Sequence, residues 1–290
     1  MNQAVSNVDN SSNVVALMSN LNLGKHPPAS DTSSPPKRPR RNFGLTDFKG
    51  PLQEKVQVAA PVHPHSAEEQ ELFVDITEAA TSDDIRERMR GIKILTHDAS
   101  LQPLLLRLAH FIFDSVRVNI IQEFPFLLSS LMDMVDAMLQ NANLDIEPGL
   151  FKLLPAVVSV LVAKPMKGHF RQKRHCAKLL ERIVKSEPVM KQRITNVLIS
   201  GLYRHDCNIY ATYGLVYALN CLGDTVIDNY LFPNLHRVKS NLNGAASDEA
   251  EDASFVFTAV RRIIRNYVQT HQKKDVEKFR KEFELFVLVD

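Results

Sequence analysis

Three histidines and two cysteines are the residues of this chain whose types best suit a metal site. They are His169, His175, Cys176, His205 and Cys207. Imidazole and thiolate are ligands that zinc prefers, but the spacing here matches no established zinc motif. Neighbours such as His175 and Cys176 also point in different directions on a helix. We therefore predict no metal or cofactor site, with the cysteines in the core and the histidines at the surface.

Cys207 lies close to His205 and Asp206, so the three could be drawn as a nucleophile with its base. Residues so near in sequence rarely meet in the geometry that this catalysis requires. The sequence also contains no HExxH, GxSxG or glycine-rich phosphate motif, and its 10 glycines are few. We predict no catalytic residue and a protein that is not an enzyme.

A basic cluster is the densest charge in the second half of the chain. It comprises Lys164, Lys167, Arg171, Lys173 and Arg174, and no acidic residue occurs between Lys164 and Leu180. Such a rim could bind DNA phosphates or an acidic segment of a partner. The plainer interpretation is the solvated start of a helix. Both interpretations stay open from the sequence.

A second basic cluster, Lys37, Arg38, Arg40 and Arg41, lies in a proline- and serine-rich segment. Residues 1–65 hold too few apolar side chains to offset the entropy of ordering, so we predict a disordered tail. Four cations on an extended backbone suit the acidic groove of a nuclear import receptor. Solvated charge and a weak phosphate-binding arm are the alternatives.

From Ser66 the apolar residues recur with the period of an α-helix, beginning with a capping box formed by Ser66 and Glu69. Later helices pair into hairpins whose second members start near Pro148, Pro188 and Thr225, an interval of about 40 residues. That is the period of HEAT and armadillo repeats. We predict an all-α protein, a HEAT-type solenoid of helical hairpins preceded by the disordered tail.

The domain boundaries follow from changes in composition. We predict a tail over 1–65, a HEAT-repeat domain over 66–240, a linker over 241–252, and C-terminal helices over 253–290 that pack on or cap the solenoid. With a net charge of +2, three cysteines and no signal peptide, the chain is expected to be soluble and intracellular. Its apolar runs are too short to predict a membrane span.

Arg117 and Asn119 form a polar pair inside the apolar run from Leu101 to Leu139. A third helix is predicted from Leu101 to about Ser115, and a fourth from Val116 to Leu139. Pro125 should kink this fourth helix or divide it. Its core face should include Val118, Ile121 and Phe124 or Pro125, and Arg117 should tie adjacent helices together by hydrogen bonds.

Ordered motifs between Glu69 and Leu235 resemble the C-terminal HEAT domain of subunit six of transcription factor TFIID, a family shared with SAGA-type coactivators. The motifs are Ile76-Thr77-Glu78-Ala79, Leu101-Gln102-Pro103-Leu104-Leu105, Phe111-Ile112 with Val116-Arg117-Val118-Asn119, Leu154-Pro155-Ala156-Val157, Gln192-Arg193-Ile194-Thr195, and Tyr213-Gly214 ahead of Leu219 and Leu222-Gly223. The resemblance implies a nuclear, non-enzymatic scaffold that acts in RNA polymerase II preinitiation. Its implied partners are other TFIID or SAGA-type subunits.

The chain departs from that family in two places. Family members usually begin with a histone fold that pairs with subunit nine, whereas here the basic tail precedes the first repeat, so this pairing is not expected. The stretch from Gly168 to Arg174 is basic where the family tends to carry an aromatic and acidic run, and the chain has no tryptophan. A partner contact at that edge is therefore expected to be lost or altered.

Two other functions remain open. One is a nuclear HEAT-repeat adaptor or transport scaffold outside TFIID, which co-purification with TFIID subunits would distinguish. The other is direct DNA binding by the rim and tail, which predicts an affinity that falls steeply with salt. We expect any DNA contact to be weak.

Overall fold

The computed structural model describes residues 66–164 and 169–287, and in these ranges the regular elements are all helical. Predictions for residues 1–65, and for Lys167, lie outside the described residues. The α-helices, in chain order, are α1 Ala67–Thr81, α2 Ile85–His97, α3 Leu105–Gln122, α4 Pro125–Gln140, α5 Leu150–Val162, α6 His169–Ser186, α7 Met190–Leu202, α8 Ile209–Cys221, α9 Leu235–Asn243, α10 Ala250–Thr270, α11 Lys273–Lys278 and α12 Arg280–Val287.

The first helix begins at the predicted capping box. Ser66 Oγ accepts a hydrogen bond from the backbone N–H of Glu69 at 3.1 Å, and Glu69 Oε2 accepts one from the backbone N–H of Ser66 at 2.9 Å. Each bond satisfies a donor that the first turn of a helix cannot pair internally. Asp84 and Asn208 cap α2 and α8 with their side-chain oxygens. Local sequence thus determines where these helices start.

The predicted division of the chain at Ser115 is wrong, because α3 continues to Gln122. The break lies at Glu123, whose φ of 58° is left-handed, and Pro125 occupies the first turn of α4. Proline fits there because the first turn has no internal partner for its missing N–H. Of the two outcomes allowed at Pro125, division is the one that occurs.

The predicted core face of this region is also partly wrong. Val118, Ile121 and Phe124 are 49%, 40% and 52% exposed. The predicted face assumed one continuous helix, but the chain turns at Glu123. The buried positions of α4 therefore do not continue at helical spacing into α3. The side chains that α3 buries near its end are instead those of Val116, Asn119 and Ile120.

The helices pack as hairpins in two layers. α1 pairs with α2, α3 with α4, α5 with α6, and α7 with α8. The helices that begin near Pro148 and Pro188 are thus the first members of their hairpins, and their predicted place as second members is wrong. Helices α2, α4, α6 and α8 lie side by side in one layer, while α3 packs along α5 in the other. Because each hairpin buries its apolar side against the next, the core runs continuously from Ile76 to Phe286.

The C-terminal helices pack against this body. After α8 the chain makes one helical turn at Asp224–Val226, a π-helical segment at Ile227–Leu231 and a 3-10 turn at Phe232–Asn234. Phe232 packs against aromatic rings that belong to or flank α10 and α12. Helix occupies both ends of the segment predicted as a linker, since α9 ends at Asn243 and α10 begins at Ala250. The division into linker and cap stays a prediction.

No helix in the described ranges is long and apolar enough to cross a bilayer.

Candidate functional site

Lys173 is not part of a surface rim, which corrects the prediction made for it. Its side chain is buried, with 2% of its surface exposed, and Nζ donates hydrogen bonds of 2.7 Å to the carbonyl oxygens of Leu161 and Ala163. These carbonyls lie at the C-terminal end of α5, where they lack partners within the helix and where the helix dipole attracts a cation. Lys173 therefore caps α5 from the neighbouring helix α6.

Burial lowers the pKa of Lys173 to about 7, from an ordinary value of 10.5. Between these values the unfolded chain binds a proton that the folded chain does not, so the stability should rise with pH. We expect wild type to gain up to about 1.4 kcal/mol per pH unit over a Lys173→Met variant in this window. Urea unfolding across the pH range measures the difference.

The exposed neighbour Lys178 provides the matched control for this pH experiment. A Lys178→Met variant should follow wild type at every pH. A wild-type curve parallel to that of Lys173→Met would show that the buried ammonium has an ordinary pKa in the folded chain.

The rest of the predicted rim is divided by the fold. Arg171 is exposed on α6, and the half-buried Arg174 donates a hydrogen bond of 3.2 Å to Tyr213 Oη. Lys164 is half-buried at the end of α5, and Lys167 lies outside the described residues. Of the five cations, the structure thus brings Arg171 and Arg174 to one surface.

That surface is an open groove of about 670 Å³ between α4 and α6. We call it the α4–α6 groove. Its lining comprises Pro125, Phe126, Ser129, Asp133, Arg171, Gln172, Arg174, His175, Lys178 and Tyr217. Positions 171, 174, 175 and 178 are three or four residues apart, so the α6 side chains share one helix face. The groove combines cationic and aromatic side chains.

Asp133 is the single acidic residue among those lining the α4–α6 groove. His175 Nδ1 lies 3.7 Å from Asp133 Oδ1. Desolvation in the groove raises the pKa of Asp133, while His175 acts in the opposite direction. On the same helix Asp136 accepts a hydrogen bond from Arg182. Arg171 also acts electrostatically on Asp133, so this one carboxylate partly offsets the positive charge of the side chains that line the groove.

A second groove, of about 790 Å³, lies on the other side of α4, between α4 and α2. We call it the α2–α4 groove. Ile85 and Met89 are exposed along it, beside Arg86 and Lys93. At the border between the two grooves the guanidinium of Arg88 lies 4.5 Å from the centre of the Phe126 ring. Its Nη1 also donates to the carbonyl oxygens of Ser82 and Asp83, which hold it in place.

The histidines and cysteines weighed as zinc ligands are spread over the fold. His169 packs edge-on against Tyr210, with ring centres 5.0 Å apart, while His175 faces the α4–α6 groove. Cys176 is fully buried, which raises its pKa to about 12. In the part of the chain that the structure describes, no group of three or more His, Cys, Asp or Glu side chains could hold a metal ion.

The residues drawn as a nucleophile and base have other neighbours. Cys207 Sγ lies 3.4 Å from Thr212 Oγ1, and burial raises the pKa of its thiol. Asp206 accepts hydrogen bonds of 2.9 and 2.7 Å from Arg204. His205 is exposed.

The tyrosines near α8 serve mainly in packing. Tyr210 and Tyr213 are buried, and Phe170 of α6 packs against Tyr213 with ring centres 4.8 Å apart. Tyr217 stacks next to Tyr213 and reaches the α4–α6 groove, whereas Tyr203 lies exposed at the end of α7.

Arg117 and Asn119 have different environments. Asn119 is buried, and its Nδ2 donates a hydrogen bond of 2.8 Å to the carbonyl oxygen of Ser115. Arg117 is exposed, with its guanidinium 5.7 Å from the centre of the Phe113 ring on the same helix. The prediction that Arg117 links neighbouring helices by hydrogen bonds is wrong, because its position follows Val116 on α3 and lies outside the buried face of that helix.

Sequence reasoning missed the α4 side of the groove, which Phe126, Ser129 and Asp133 provide. Part of the signal was present, because these residues are three and four positions apart and so share one face of α4. The same rule places Lys173 with Cys176 and Leu180 on the apolar face of α6 and separates it from Arg171 and Arg174. No local signal in the sequence shows that α4 and α6 lie side by side.

Comparison with known proteins shows which family shares this sequence pattern. The family model described as the TAF6 C-terminal HEAT repeat domain matches residues 62–236. Transcription initiation factor TFIID subunit 6 of Drosophila melanogaster is 29% identical over 198 residues, which are 63% of this chain and 33% of that protein. The Arabidopsis thaliana protein of the same name is 30% identical over 213 residues, 70% of this chain and 38% of that protein.

A further relative is the SAGA complex/transcription factor TFIID complex subunit Taf6 of Schizosaccharomyces pombe. It is 25% identical over 194 residues, 63% of this chain and 42% of that protein. The chain thus spans less than half the length of each of these curated relatives.

Among solved structures, the TAF6 C-terminal domain from Antonospora locustae has a similar fold. The TM-score is 0.57 at 17% identity, and the match covers 68% of this chain and 99% of that one. At this identity the likeness concerns the fold. It confirms the predicted all-α architecture of HEAT-type helical hairpins.

Proposed function

We propose, since this chain belongs to the TAF6 C-terminal HEAT repeat domain family, that it is a non-enzymatic scaffold subunit of a general transcription complex. The complex would be TFIID-like or SAGA-like and would act in RNA polymerase II preinitiation. The family membership confirms the resemblance seen in the motifs from Ile76 to Gly223. The observation that carries the proposal is that the family match covers the paired helices from α1 to α8.

The geometry supports binding of other proteins. Side-by-side packing of α2, α4, α6 and α8 leaves long shallow grooves between neighbouring helices, and two of them carry exposed apolar and cationic side chains. Such surfaces accommodate extended or helical segments of partners. The partners we propose are other subunits of the complex.

The tail and the C-terminal helices have separate proposed roles. Lys37, Arg38, Arg40 and Arg41 would bind an import receptor and bring the chain to the nucleus. The HEAT-repeat domain, residues 66–240, would make the contacts with the complex, and residues 253–290, after a linker at 241–252, would cap it. DNA contact would be weak, because burial removes Lys173 from the basic rim.

Co-purification tests this proposal. We expect the tagged full-length chain, recovered from nuclear extract, to carry TFIID or SAGA subunits identified by mass spectrometry. The same tag on an unrelated nuclear protein is the control. If no TFIID or SAGA subunits are recovered from an extract that contains the intact complexes, the result would favour the alternative of a nuclear adaptor or transport scaffold outside TFIID.

A further inference from the structure

We propose that the α4–α6 groove binds an acidic segment of a partner protein that carries a bulky apolar side chain. This inference rests on the proposed scaffold function and deepens it, because it assigns one surface and one kind of ligand. The argument depends on the charges that face the groove, on its aromatic side chains and on the shape of the surface beside α4.

The charge of the groove favours an anionic ligand. Arg171, Arg174 and Lys178 line it from one helix, and Asp133 is the single acidic side chain opposite them. His175 lies close enough to Asp133 to pair with it when protonated. Arg171 and Lys178 are exposed and form no described ion pair, although Arg171 acts on Asp133 at longer range, so a carboxylate of the ligand would compete with that one acid only.

The aromatic side chains provide a place for an apolar anchor. Phe126 is 39% exposed at the groove wall, and Tyr217 reaches the groove from α8. Arg88 covers one side of the Phe126 ring, and its hydrogen bonds to the turn before α2 hold it there. An apolar residue of the ligand could pack on Phe126 while neighbouring carboxylates bind the cations.

The dimensions suit a short peptide. Helix α4 has 16 residues and so is about 24 Å long. An extended segment of about seven residues would match that length. Next to it the α2–α4 groove continues the pattern with Ile85, Met89 and Arg86, which would allow a longer ligand to cross α4.

Binding of synthetic peptides to the full-length chain tests this inference. The probe is a fluorescent peptide of about ten residues with alternating Glu and Leu around one Phe, followed by anisotropy. One control peptide replaces each Glu by Gln, and another replaces the Phe and Leu residues by Ser. We expect saturable binding of the probe, and binding of each control that is weaker by about tenfold or more.

Charge reversal locates the binding site. The double variant Arg171→Glu with Lys178→Glu should bind the probe about tenfold or more weakly than wild type does. The difference in affinity between the two proteins should become smaller as the salt concentration rises. The control combines Arg265→Glu with Lys239→Glu, two cations on α10 and α9, and changes the net charge equally. Circular dichroism establishes that both variants are folded. Equal loss in both variants would show diffuse attraction and overturn the proposal.

A photo-crosslinking residue at Ser129, inside the groove, gives a second readout that does not depend on charge. It should capture the peptide, whereas the same residue at the exposed Val189 should not. Capture at both positions or at neither would contradict the assignment. If duplex DNA competes with the probe and binds the charge-reversed variant more weakly, the groove is a nucleic-acid site. If the variant abolishes self-association of the chain, the groove is a contact between copies of the chain. Either result would overturn the proposal.

The peptide result and the co-purification result can be separated. If the peptide binds but no TFIID or SAGA subunits are recovered, the proposed ligand of the groove would stand and the proposed membership of the complex would be wrong. If a groove variant no longer binds the peptide but still recovers the complex, the scaffold function would stand. The contacts with the complex would then lie on another surface.

Discussion

Replacing Gly214 by alanine should destabilise the folded chain by about 3 kcal/mol. Gly214 lies in the middle of α8, and a Cβ built there would be 2.4 Å from the carbonyl oxygen of Leu161 in α5. That oxygen belongs to the backbone, so no side-chain rotation can relieve the overlap. It also accepts the hydrogen bond from Lys173, which the displacement of α8 would disturb.

Gly244→Ala is the matched control for this prediction. A Cβ at Gly244 would lie 3.6 Å from its nearest neighbour, the carbonyl oxygen of Asn241, in ordinary van der Waals contact. The backbone there has a φ of −83°, which alanine adopts readily. Its stability should therefore stay within about 0.5 kcal/mol of wild type. Urea unfolding followed by circular dichroism measures both, and equal midpoints would contradict the close approach of α8 to α5.

Phe232→Ala should cost about 3–5 kcal/mol of stability and loosen the C-terminal helices. Phe232 is fully buried, and its ring contacts Tyr267, Phe279 and Phe283 at centre-to-centre distances of 4.7, 5.0 and 4.8 Å. Truncation would leave a cavity where these rings meet and remove three edge-to-face contacts. Urea unfolding should show the loss, and hydrogen exchange should accelerate in α10 and α12 more than in α3.

The same substitution at Phe124 provides the control, because that side chain is 52% exposed between α3 and α4. It buries less surface, so its cost should stay below about 1 kcal/mol. If Phe232→Ala behaved like Phe124→Ala, the aromatic cluster would contribute little to holding the C-terminal helices. Faster exchange throughout the chain, without preference for α10 and α12, would show that these helices unfold together with the repeats.

The helices themselves could be predicted because their signals are local. The capping box at Ser66 and the recurrence of apolar residues act over one or two turns, so a single sequence contains them. The prediction ended a helix at Ser115, where no local signal ends one, and drew a single helix across the break at Glu123. The buried face set by Leu128 and Leu131 of α4 was thereby extended back to Val118 and Ile121, which lie off the buried side of α3.

The candidate site was predicted in part. The sequence indicated a cationic stretch at the start of α6 and left open whether it would be a binding rim. It could not indicate Phe126, Ser129 and Asp133 as the opposite wall, since these residues precede Arg171 by about 40 positions, one repeat earlier. Their meeting depends on how consecutive hairpins stack.

By itself the sequence determined the class of fold and the interval of the repeat, because these follow from periodicity and caps along the chain. Its ordered motifs resemble one family closely enough to identify it. Helical periodicity separates Lys173 from Arg171 and Arg174, but the tertiary structure decided which groups each of these cations contacts. Arg171 and Lys173 are two positions apart on one helix, yet the first faces the α4–α6 groove and the second caps the end of α5. That difference depends on where α5 ends relative to α6, and a charge count along the chain contains no information on the distance between two helices.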